Sequence, residues 1–341
     1  MSEADANDPK VIQAIQDLIQ VCGGSPTTFE GSLVTQMIQT ALKLMIEGHD
    51  TGQLKLITNA LKEIRYAYNI FNQYPKKRRI SIFGSARTPE DHPDYLTAKS
   101  LSSSMAAHEW MCITGAANGI MKAGLEGPKA ESSFGLSIRL PFEAPTNSLI
   151  HGDPKLITFR YFFTRKLMFV SHSDAVAAFP GGFGTLDELF EVLTLMQTGK
   201  ASIIPVVLLE GKGGVYWKNW EEYIREHLLS NNWVSPEDRN FYHVAQSVED
   251  AVQHIQKFYH RYHSSRYVKE ELVIRLTKEL TSDEVSQLNN KYSKLIASGS
   301  MRLSGPLDEE DDHLNLPRLV FCHTRRDYGL LRGLIDDINA F

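Results

Sequence analysis

The sequence has 341 residues, 42% of them hydrophobic and 23% charged, with a net charge of −5 and a pI near 6.2. This composition suits a globular chain with a large core and two or three units, and it excludes a general electrostatic attraction to nucleic acid or an anionic membrane. Cys22, Cys112 and Cys322 are far apart and form no CxxC, the amino terminus has no apolar signal core, and no apolar run approaches the ~20 residues of a bilayer span, so a reduced cytoplasmic protein is expected.

Residues 9–74 read as three helices. Val11, Ile12, Ile15, Leu18 and Ile19 form one apolar stripe, Leu33, Val34, Met37, Ile38, Ala41, Leu42 and Met45 a second, and Leu54, Ile57, Leu61, Ile64 and Tyr68 a third. Gly23-Gly24-Ser25-Pro26 and Gly48-His49-Asp50 separate them as turns. These helices are expected to pack on the main domain or on a partner subunit. The basic run at 76–79 reads as a solvated linker, because it is isolated in an acidic chain.

From Arg79 the pattern becomes short apolar strands alternating with helices. Strands are expected at 80–83, 110–114, 134–139, 156–159, 175–179 and 203–209, and helices at 92–108, from about 118, and at 161–171, 186 onward, 217–229 and 248–260. That alternation implies a Rossmann-like, doubly wound parallel sheet with ligands beyond the carboxyl ends of its strands. Three small-residue loops fall there: Gly84-Ser85, Gly115 to Gly119, and Gly181 to Thr185. Residues 265–341 read as a small α+β unit of order βαββα, for packing or for regulation. The expected division is therefore 1–78 helical, 79–264 doubly wound, and 265–341 α+β.

The third loop, in FPGGFGTLDELFE at 179–191, carries the chemistry. A buried strand runs into Gly181, Gly182 and Gly184, which let backbone amides approach a ligand, and Leu186, Leu189, Phe190 and Leu193 then mark one face of a helix. Free amides at the positive end of a helix, with the Thr185 hydroxyl, suit a phosphate. Glu188 repels a phosphate, so it is expected to face a part of the ligand where positive charge develops. Arg165-Lys166, on the preceding helix, is either a surface pair or a grip on an anion or carboxylate. Neither GxGxxG nor GxxxxGK[ST] occurs, which argues against a dinucleotide cofactor, and His151, His172, His260 and His263 lack metal-ligand spacing. No cofactor and no metal are expected.

With these residues in hand, PGGFGTLDE resembles the PGGxGTxxE signature of the Lonely Guy (LOG) family, long misnamed lysine decarboxylases. FGSART resembles the loop after that family's first strand, TGAANGIMKAG its GGGxxGLM segment, and TRKLM its arginine–lysine helix; the resemblance covers roughly residues 79–230. It implies a phosphoribohydrolase that splits a nucleoside 5′-monophosphate into free base and ribose 5-phosphate, acting as a homodimer with its sites near the subunit interface. By motif position it implies Arg165 and Glu188 as the catalytic pair and Gly181, Gly182, Gly184 and Thr185 as the phosphate loop, with Ser85, Gly115, Asn118, Gly119 and Lys166 completing the substrate site. The second motif reads Gly115-Ala116-Ala117 here, and LPFEAPTN at 140–147 is more like the longer family members. Cytokinin ribotides and ordinary purine or pyrimidine nucleotides both stay open as substrates. A different class, a non-catalytic nucleotide binder or carrier on the same fold, is the alternative; retention of both Arg165 and Glu188 favours the enzyme. A true lysine decarboxylase needs pyridoxal phosphate on a lysine, and only Lys166 falls in the crevice.

Overall fold

The computed structural model describes residues 5–128, 132–141 and 147–341. Residues 142–146 of the LPFEAPTN segment thus lie outside the described residues. The chain divides into two compact units, Met1–Tyr66 and Ala67–Phe341.

The first unit holds α1 (Pro9–Val21), α2 (Phe29–Ile46) and most of α3 (Thr51–Phe71). Their starts follow from capping: Asp8 accepts from the Lys10 amide at 2.8 Å and Thr28 from the Gly31 amide at 3.1 Å. Ile15 and Ile19 are buried as their stripe requires, whereas Leu33, Met37, Met45 and Leu61 are exposed.

The second unit contains a parallel sheet of β1 (Arg79–Phe83), β2 (Met111–Thr114), β3 (Ser133–Ile138), β4 (Leu156–Phe159), β5 (Ala175–Ala178), β6 (Val206–Leu208) and β7 (Tyr242–Val244). The seven strands lie in the order β4-β3-β2-β1-β5-β6-β7, every neighbouring pair parallel. β2 and β5 are buried along their whole length. Both faces are therefore covered, which is why these strands read as continuous apolar runs. Helices α4 (Pro93–Ala107), α5 (Ile120–Glu126), α6 (Phe162–Ser171), α7 (Phe183–Gln197), α8 (Tyr216–Tyr223) and α9 (Val248–Phe258) provide the cover. Ile80, Ile82, Leu101, Val207 and Ile255 share one core cluster. The strand order reverses between β1 and β5, so the switch-point crevice lies over the loops that leave those two strands.

A second sheet is antiparallel, in the order β10-β11-β9-β8, from β8 (Tyr262–Val268), β9 (Glu271–Leu276), β10 (Ile296–Ser304) and β11 (Arg318–His323). Helices α10 (Ser282–Lys291) and α11 (Tyr328–Ala340) complete it. The expected βαββα order lacked β8, whose YHSSRYV sequence is too polar to announce a strand and which forms an edge. β7 was likewise unforeseen, being three residues long. The helix of that unit ends at Lys291, and β10 begins at Ile296.

Candidate active site

The glycine loop enters α7 earlier than its apolar periodicity indicated. The helix starts at Phe183 with Gly182 as N-cap, so Gly184 and Thr185 belong to its first turn and Glu188 to its second. A first turn needs no apolar contact, so periodicity could not reveal it. Among the described residues, none of the amides from Gly181 to Thr185 has a protein acceptor; the first helical bond runs from the Leu186 amide to the Gly182 carbonyl at 3.2 Å. No side chain caps this terminus. Five consecutive donors at the positive end of a helix are thus open to an anion. A Cβ placed on Gly182 or Gly184 would meet nothing within 4 Å, so the space beside them is open.

Backbone hydrogen bonds tie the three expected loops together. The Ser85 amide donates to the Pro180 carbonyl at 3.1 Å, and the Ile120 amide to the Ser85 carbonyl at 3.0 Å. Gly119 has φ +60°, and a Cβ there would lie 2.2 Å from the Ser85 carbonyl oxygen, so only glycine permits this approach. At Gly115 a Cβ would meet the side-chain ends of Met121 and of Arg165 at Nη2. The Ser85 hydroxyl is half-buried and accepts from the Arg87 amide, while Asn118 is exposed at the rim.

Arg165 projects from α6 and Glu188 from α7, and Nη2 of Arg165 donates to Oε1 of Glu188 at 3.0 Å. Their side chains are only 9% and 15% exposed, so the pair sits in low dielectric. Burial pushes the Glu188 carboxyl up to about 7, against the pull of the Arg165 and Lys166 charges. Burial lowers Arg165, with Glu188 holding it up, and Nε of Arg165 is buried without a protein partner. Lys166 faces elsewhere: its ammonium pairs with Asp187 at 2.5 Å and Glu191 at 3.3 Å, joining α6 to α7. Among the described residues, no group of three or more His, Cys, Asp or Glu is placed to hold a metal ion.

Sequence reading missed Tyr216. Its hydroxyl donates to the Gly181 carbonyl at 2.8 Å. The Glu210 carboxylate accepts from the Tyr216 and Trp217 amides and so fixes the start of α8. Trp217, fully buried, donates from Nε1 to the Leu209 carbonyl. A trans peptide directs its N–H opposite to its C=O. Holding the Gly181 carbonyl therefore sets the Gly182 amide, as Ser85 does for the Gly181 amide by holding Pro180. The Tyr216–Gly181 contact spans 35 residues, and no local pattern encodes it.

Fold and site together define a doubly wound α/β domain with a glycine-loop helix terminus and a buried arginine–glutamate pair at its switch point. Residues 113–255 match the family described as "Possible lysine decarboxylase". The resemblance read from PGGFGTLDE and its companion motifs is borne out over this segment, which is less than half of the chain. The chain is 35% identical over 98 residues to cytokinin riboside 5′-monophosphate phosphoribohydrolase LOG1 of Arabidopsis thaliana, covering 29% of this chain and 44% of that protein. It is 32% identical over 111 residues to the phosphoribohydrolase of the same description from Rhodococcoides fascians, covering 33% and 54%. The matches thus span about half the length of these relatives. Among solved structures, the molybdenum cofactor carrier protein of Chlamydomonas reinhardtii is similar at 21% identity and a TM-score of 0.38, over 53% of this chain and 98% of that one. Among the described residues, no helix is long and apolar enough to cross a membrane.

Proposed function

We propose that this protein hydrolyses the N-glycosidic bond of a nucleoside 5′-monophosphate, releasing free base and ribose 5-phosphate. The observation that carries this reading is the buried Glu188–Arg165 pair one turn beyond a helix terminus whose amides are open. The 5′-phosphate sits on the amides of Gly181 to Thr185, and the ribose lies over Glu188. Breaking the glycosidic bond develops oxocarbenium character on the ribose, which the Glu188 carboxylate stabilises while it takes a proton from the attacking water. A carboxyl pushed up to about 7 is matched to that proton transfer near neutral pH. Arg165 orients the carboxylate and keeps a share of it ionised. The names of the curated relatives support a cytokinin ribotide as one substrate, and ordinary purine and pyrimidine monophosphates fit the same phosphate and ribose contacts. A homodimer goes with this reading.

The test is a hydrolysis screen. AMP, GMP, CMP, UMP, IMP and isopentenyladenosine monophosphate are incubated with the full chain beside their unphosphorylated nucleosides, and base and ribose 5-phosphate are followed by chromatography. Release from monophosphates alone is the expected result. Binding of the monophosphates without release from any of them overturns the reading in favour of a binder or carrier.

A further inference from the structure

The basic run at 76–79 is only in part the solvated linker its composition suggested. Lys76 and Lys77 are exposed, but Arg78 and Arg79 are half-buried and laid on aromatic rings. The Arg78 guanidinium carbon lies 3.3 Å from the Tyr259 ring centre, and that of Arg79 lies 5.2 and 5.6 Å from Phe71 and Phe134. Stacking occupies the flat faces of the two forks, and Arg78 also hydrogen-bonds the Tyr259 side chain. Among the described residues, neither guanidinium forms an ion pair with a carboxylate, and Nε of Arg79 is buried without an acceptor. Leaving a buried guanidinium donor unmade is costly, so this one calls for a partner.

All four basic residues line one cleft of about 710 Å³ at the amino ends of β1 and β5, with His172, with His263 of β8 and with His313 of the loop between β10 and β11. Ser171, Ser173 and Ser264 add hydroxyl groups to the same walls. The carboxylate lining it, Asp174, already accepts from the Arg79 amide at 2.9 Å. Asp174 and the carboxyl end of α6 bring negative potential, which the four cations offset. The field is felt by the imidazoles: burial, then Arg79, pushes His172 down to about 4, and burial, then His313 and Arg78, lowers His263.

We infer that this cleft is a second anion site, at the amino ends of the strands whose carboxyl ends face the glycine loop, and that it takes a phosphorylated small molecule. The unpartnered Arg79 fork matches phosphate oxygens, and the cleft is larger than a bare phosphate requires. Its position also connects it to the crevice. α6 ends at Ser171 in the cleft and carries Arg165 upstream, and β5 leads from Asp174 to the glycine loop.

The site can be read without measuring turnover. The ring resonances of His172 and His263 are followed by NMR in the full chain during titration with inorganic phosphate, pyrophosphate and ribose 5-phosphate. The expected result is saturable shifts at both rings, kept in Glu188→Gln and lost in Arg79→Met, whose affinity falls roughly 10-fold or more, as for a lost charge-assisted hydrogen bond. A stronger response to pyrophosphate than to ribose 5-phosphate identifies a phosphate chain as the recognised group, and the reverse identifies a sugar phosphate. If Arg79→Met fails to fold, Lys76→Ala/Lys77→Ala, which changes only exposed side chains, is expected to weaken binding several-fold and flatten its salt dependence. Rings unmoved by all three ligands at millimolar concentration, or the same affinity in the variants that fold, overturn the inference.

Discussion

Glu188 accepts a 3.0 Å hydrogen bond from Arg165 in a setting where burial alone would neutralise it. The arginine pulls the carboxyl down and burial pushes it up, and burial dominates. The proposed reaction needs the ionised form, so kcat/KM for a nucleoside monophosphate is expected to rise with pH through about 7 and then level. A profile flat from pH 5 to 8 would remove Glu188 as the titrating base.

Replacing the carboxylate separates chemistry from folding. Glu188→Gln is expected to lower kcat by ~10²–10³ while leaving phosphate-dependent binding in place. The native carboxyl lies above its ordinary value, so the folded state holds its proton longer than the unfolded chain. That contribution to stability is present below about 4.5 and is lost as pH rises toward about 7, by up to about 3 kcal/mol. The variant lacks this slope. Denaturation at pH 5 and pH 8 is expected to show wild type losing stability relative to Glu188→Gln at the higher pH.

The neighbours of Glu188 tune the same titration in opposite directions. Lys166 lowers the Glu188 carboxyl and Asp187 raises it. Lys166→Met is therefore expected to move the acid limb of the rate profile to higher pH, and Asp187→Asn to lower pH. Shifts of the same sign in both variants would contradict this electrostatic assignment.

Tyr216 reaches the loop through one hydroxyl, so Tyr216→Phe removes little else. KM for monophosphates is expected to rise about 5- to 10-fold, the worth of one hydrogen bond, with kcat changed less. Weak binding of the unphosphorylated nucleoside is expected to stay the same. An equal loss with both ligands would point to a general distortion of the domain.

Two glycines of the crevice are expected to respond differently to alanine. At Gly119 the added Cβ meets the Ser85 carbonyl and φ is +60°, so Gly119→Ala should lower the melting temperature by several degrees, corresponding to ~1–3 kcal/mol. At Gly182 the added Cβ meets open space, so Gly182→Ala should melt normally and instead raise KM by crowding the phosphate. Calorimetry and steady-state kinetics on the two variants test the contrast.

Legibility in the sequence followed the range of the interactions. The buried strands of the parallel sheet, the glycine loop and both members of the Arg165–Glu188 pair were marked by apolar runs, glycines and family motifs. β7 and β8 were not, because one is very short and the other is a polar edge. The ties between Tyr216 and Gly181 and between Arg78 and Tyr259 were hidden for another reason: each joins residues distant in sequence. The stacked arginines in particular were indistinguishable from a charged linker until the aromatic rings beneath them were placed.

The Pro180 and Gly181 carbonyls are held from different elements, by the Ser85 amide and the Tyr216 hydroxyl. A loop so rich in glycine, if left loose, would surrender ~1–2 kcal/mol of backbone entropy per residue on closing around a ligand. Here that ordering cost falls on the folding of the domain and does not recur at each binding event. In the proposed reaction the glycines therefore serve as room for a phosphate rather than as hinges, and the loop would receive it as a rigid mould.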